Sequence, residues 1–143
     1  NSGYNLVRQR LMQAHHPSSF FGRSIASGSH QQSIRWVLDG IADCAAIDST
    51  VLEQELRDSP EFSDQLRRIE SIGPCPMPPV VAAKHLGEPC IYQLQAALLQ
   101  PSEALRSRMT QANILQYAAV QASDYLTIAH QYDAALKSGY EQL

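Results

Sequence analysis

"SIASGSHQQSIRWVLDGIADCAAIDSTVLEQEL", residues 24–56, alternates two short apolar runs with two longer amphipathic ones. "SIAS" (24–27) and "DCAAI" (43–47) have the length and small apolar side chains of buried strands, and Cys44 is expected inside the second. Between them Ile34, Val37 and Leu38 share one helical face, with Trp36 to its side. Gly40 follows where a helix takes a left-handed C-terminal glycine. After the second run, Thr50 and Glu53 have the spacing of a capping box and predict a helix from about residue 49–50. Strand, helix, strand, helix with short connections predicts an α/β fold, a parallel sheet covered by helices.

Outward from this block, Tyr4, Leu6, Val7, Leu11 and Met12 recur at three- and four-residue spacing, so residues 4–15 read as a helix ended by His16-Pro17. In the other direction "SPEF" restarts a helix, with Ser59 as cap and Pro60 at the first helical position. Pro74, Pro76, Pro78 and Pro79 then exclude both helix interior and central strand, and the chain is extended until "VVAA" (80–83), read as a strand. Ile91, Leu94, Ala97 and Leu98 predict a helix to about Gln100, Ser102 caps another over 103–109, and "NILQYAAV" (113–120) suits a short strand. A last amphipathic helix begins near Ser123 and carries Tyr125, Ile128, Tyr132 and Leu136 on one side.

The 143 residues, 44% of them hydrophobic, are enough for one ordinary domain or about half of a two-lobed protein. A net charge of -3, with 11 Lys and Arg spread singly, offers no basic stripe for a phosphate backbone, so nucleic acid is not an expected partner. No apolar run reaches the roughly 18 residues of a membrane span. The chain starts at Asn1 without a signal segment, as a processed or excised piece would. Cys44, Cys75 and Cys90 match no zinc spacing; they are three thiols, or Cys75 and Cys90 pair if the compartment is oxidising.

Two loops that precede helices carry the chemistry: Ser2-Gly3, and Gly28-Ser29-His30. A helix's first turn leaves up to four backbone N–H groups without intrahelical partners and bears partial positive charge, so glycine and small hydroxyl residues there can hold an anion without a lysine. In open parallel sheets, ligands bind outside the carboxyl ends of the strands, where both loops and Asp48 are expected. His30 could donate to an anionic oxygen, and Asp48 could accept from a ligand amine or a protonated oxygen. The alternative reading makes Ser29 and Asp48 plain N-caps and His30 a first-turn surface residue. His15, His16, His85 and His130 have no ligating neighbours at metal-binding spacing, and no nucleophile motif is present, so neither metal nor cofactor nor catalysis is expected.

Taken in order, "NSGYN", "GSHQQSIRWVLDGIADCAAIDSTVLE", "PPVVAAK" and "VQASDYLTIAHQYDAA" resemble the second half of the phosphonate-binding periplasmic proteins of ABC transporters. The agreement is strongest over 28–53, where residue types and spacing match without a gap. The resemblance implies the type II periplasmic-binding-protein fold. Residues 1–72 would be most of the second lobe without its first strand, 73–84 a proline-rich crossover and strand, and 85–143 a C-terminal helical segment that would pack on the absent first lobe.

It also implies a non-enzymatic solute-binding component for phosphonate, phosphate or a related small oxyanion. That component would work outside the cytoplasm, in the periplasm or anchored as a lipoprotein, and would deliver solute to a membrane permease. Ser2, Gly3 and the start of the Tyr4 helix would lie on the phosphonate oxygens, with Ser29 and His30 beside them and Asp48 as a further polar partner. Asn1 stands where the family often has Ser or Thr. A sensor domain of a signalling protein with the same fold is the alternative, and a strand left without its neighbour would favour a strand-exchanged homodimer.

Overall fold

Helical segments end where the sequence supplies caps and stops. The computed structural model describes residues 3–140. Helix α1 spans Asn5–Gln13 with Tyr4 as its N-cap, and the chain leaves it through Ala14 and through His15 in the left-handed region at φ 56°. Helix α2 is His30–Leu38, and Gly40 lies at φ 69°, the conformation the sequence led one to expect after this helix. Helix α3 is Ser49–Asp58, followed by the single turn α4, Phe62–Gln65. A 3-10 turn at Lys84–Leu86 leads into α5, Glu88–Leu99, and then α6, Glu103–Gln111. A second 3-10 turn, Ala122–Tyr125, precedes α7, Leu126–Lys137.

Cap positions refine the expectations. Ser102 caps α6 by accepting from the Leu105 N–H at 3.3 Å, as read. The start of α3 belongs to Asp48 rather than to a Thr50–Glu53 capping box, because the Asp48 carboxylate reaches both the N–H and the hydroxyl of Thr50. Ser59 does not cap α4. Its carbonyl closes a turn onto Phe62 N, so Pro60 stands before the helix rather than inside it.

The expected α/β architecture is not found: 52% of the structure is helical, and no described residue lies in a strand. Residues 24–27, 43–47, 80–83 and 113–120, all read as strands, have no regular structure. A strand exists only as one member of a ladder, and no backbone hydrogen bond among the described residues joins any of these segments to another. Their side chains agree. Ile25 and Cys44 are exposed, against the expected burial, and Val81 and Leu115 are 82% and 97% exposed. Short apolar runs carry no period that identifies a pairing partner, which is why the pattern alone misled. No disulfide is present among the described residues.

The described residues of Asn1–Cys75 and Leu126–Leu143 form one compact unit, and Pro76–Tyr125 form another. In the first, α1 packs on α7 and α2 on α3. Leu6 and Leu11 of α1, Ala135 of α7 and Ile34 of α2 are its buried apolar side chains. Arg10 Nε pairs with Glu70 Oε1 at 2.6 Å, and the Tyr140 hydroxyl donates to the His16 carbonyl, closing the two ends of this unit. In the second unit Met109 is buried, and the Tyr125 hydroxyl donates to the Met77 carbonyl at 3.1 Å.

Two measurements check this arrangement. Leu11→Ala should lower stability by about 2–3 kcal/mol in urea denaturation, since Leu11 is among the few buried apolar side chains. Cys44, exposed here, should react with a thiol reagent in the native protein faster than Cys75 or Cys90, and Cys44→Ser should remove that fastest phase.

Candidate functional site

Three segments distant in sequence converge where α1 and α2 begin and residues 43–47 end. A methyl group placed on Gly3 would lie 3.4 Å from His30 Cε1, 3.5 Å from the Ala46 carbonyl oxygen and 3.9 Å from His30 Nδ1. A methyl there would make ordinary van der Waals contact with the ring, so the Gly3 backbone runs alongside the imidazole. Of the predicted site residues, Gly3 and His30 are therefore in contact distance, and Asp48 follows Ala46 by two residues.

His30 is held by local chemistry. It is the first residue of α2, directly after the N-cap Ser29, whose hydroxyl accepts from the Gln32 N–H at 3.1 Å. The preceding turn needs Gly28 at φ 89°. Ser27 Oγ donates to the Ser29 carbonyl at 2.9 Å and lies 2.5 Å from Ser33 Oγ. A hydroxyl has one proton, so Ser33 is the donor in the second bond, and the chain Ser33 to Ser27 to Ser29 ties the turn to the second turn of α2. His30 itself is half-buried, as is Asp48, which caps α3 through Thr50 N at 3.0 Å and Thr50 Oγ1 at 2.7 Å.

Ser29 and Asp48 are N-caps, as the plain reading has it, and both stand next to the point of convergence. Neither α1 nor α2 has an acidic residue at its N-cap or in its first turn, whereas the positive end of α3 is already met by the Asp48 carboxylate. Tyr4, the N-cap of α1, lies with its ring 5.2 Å from the guanidinium carbon of Arg8. Ser2 lies outside the described residues. A surface cavity of about 430 Å³ in the same unit is lined by Met12, His15, His16, Pro17, Ser138 and Tyr140, and by none of the predicted site residues. No cluster of potential metal ligands occurs among the described residues.

Sequence reasoning missed Arg8. It is 2% exposed, yet its Nε and Nη2 have no hydrogen-bond partner, and Nη1 reaches only Asn5 Oδ1 at 3.3 Å. A second aromatic ring, Tyr132 of α7, lies 5.7 Å from the guanidinium carbon. The signal was present: Tyr4, Arg8 and Leu11 stand at four- and three-residue spacing and so share one face, the one that packs.

The family model for the phosphonate-binding periplasmic substrate-binding protein of ABC transporters matches residues 1–125. The chain belongs to this family. Neither the search of curated proteins nor that of solved structures found a match. Family membership makes the chain a periplasmic substrate-binding protein of an ABC transporter, with a small-molecule ligand and a permease as partners. Among the described residues no helix is long and apolar enough to cross a membrane.

For Asp48 the cap and the charge can be separated. Asp48→Ala should cost about 1 kcal/mol of stability, whereas Asp48→Asn, which can still accept from Thr50, should melt within a degree or two of the parent; thermal denaturation of both checks the assignment.

Proposed function

We propose that the phosphonate-binding protein described here takes up a phosphonate, phosphate or a related small oxyanion at the convergence of Gly3, His30 and Asp48, and hands it on to its permease without chemical change. Gly3 and Tyr4 at the start of α1 offer backbone N–H groups, and Ser2 precedes them in sequence. His30 donates from its ring, Ser29 fixes the first turn of α2, and Asp48 accepts from a protonated ligand oxygen or a ligand amine. A periplasmic location, free or tethered as a lipoprotein, fits this role.

The observation that carries the reading is the approach of the Gly3 backbone to the His30 imidazole, 3.4 Å from a methyl position to Cε1. It brings a glycine-led helix start and a histidine together at one place. The starts of α1 and α2, free of acidic residues, add a favourable potential for an anion.

Isothermal titration with methylphosphonate, phosphite and phosphate tests it. Binding of at least one is expected, and no heat from any of them in a folded sample would remove the oxyanion reading. His30→Ala should weaken the best ligand by about ten- to a hundredfold, the usual effect of losing one charge-assisted hydrogen bond. Unchanged affinity in that variant would place the ligand elsewhere.

A further inference from the structure

We propose that Arg8 sets the charge selectivity of the site, favouring doubly over singly charged oxyanions without touching them; this rests on the oxyanion reading above. A side chain four residues into a helix leans back toward the N-terminus. That direction is realised here, because the Arg8 guanidinium reaches Asn5 Oδ1 at 3.3 Å and lies over the Tyr4 ring at 5.2 Å, level with the first turn of α1.

The charge is not neutralised locally. Among the described residues the ion pair joins Arg10 to Glu70, and no carboxylate of a described residue reaches Arg8. Two aromatic faces, Tyr4 and Tyr132, are its neighbours, and they attract a cation without cancelling its field. At 2% exposure the guanidinium is screened little by water or salt. A full positive charge therefore adds to the partial charge of the helix start.

The prediction concerns a ratio. Methylphosphonate, doubly charged in alkaline buffer, and methanesulfonate, always singly charged, have the same tetrahedral shape and differ by one charge. The parent protein's preference for methylphosphonate is the reference, since Arg8 favours the second ligand charge while the Asp48 carboxylate opposes it. Arg8→Met should lower that preference by about tenfold, the effect of one unit charge at about 10 Å in a medium of intermediate dielectric. Arg8→Lys, which keeps the charge, should retain most of it.

Arg8→Met exchanges a buried charge without a carboxylate for an apolar side chain of similar length, so it should melt no lower than the parent. Where methionine disturbs the packing, the neutral Arg8→Gln gives the same readout. Equal weakening of both anions in a folded Arg8→Met or Arg8→Gln protein would mean that Arg8 only packs, and would overturn the proposal. Absence of binding of methylphosphonate, phosphite and phosphate alike to the parent would instead overturn the oxyanion reading itself, and the role of Arg8 with it.

Discussion

The packing of α1 on α7 joins residues 5–13 to residues 126–137 and positions the start of α1. Leu6 and Leu11 bury against this contact with Ala135, and each small apolar group removed from water contributes roughly in proportion to its area. The same interface takes in the Arg8 guanidinium, whose two neighbouring rings come one from each side, Tyr4 at the head of α1 and Tyr132 on α7. A buried guanidinium without a carboxylate costs stability unless its surroundings answer it in part, and two π faces with one amide oxygen do so incompletely. The interface therefore holds a strained electrostatic arrangement within one turn of the place where Gly3 meets His30.

The helices were legible in the sequence because each carries its own information. Ser102 and Ser29 cap α6 and α2, and Gly40 supplies the left-handed residue after α2; all are local and visible as letters. Asp48 was legible as a cap candidate, although the capping box placed one turn's authority on Thr50 instead. The strands were not legible in this sense. "SIAS" and "DCAAI" show that a segment is short and apolar, but a ladder depends on a second segment at the right distance, and nothing in either run names one. Ile25 and Cys44 ended exposed for that reason.

Of the candidate site, the sequence showed the residue types and the structure supplied the juxtaposition. Glycine before a tyrosine-led helix and histidine after Gly28-Ser29 are each ordinary helix-start chemistry. What separates them from any other pair of caps is their proximity, since the Gly3 backbone runs alongside the His30 imidazole. Arg8 stayed hidden because a charged residue in a helix is read as solvated by default. Only its register with Tyr4 and Leu11 hinted otherwise.

Capping and ligand binding draw on the same groups, and the three helix starts divide that labour unequally. At α2 and α3 a side-chain oxygen of Ser29 or Asp48 already accepts from a first-turn N–H, so these ends are organised before any ligand arrives. At α1 the N-cap is Tyr4, and its ring is committed to the Arg8 guanidinium. The Tyr4 side chain makes no cap hydrogen bond, so α1 differs from α2 and α3 in not being capped by its N-cap side chain. On the oxyanion proposal, a ligand at the start of α1 would meet a histidine whose backbone turn is already held by the Ser33–Ser27–Ser29 chain. In that proposal the cost of ordering the turn that carries His30 falls on folding rather than on binding.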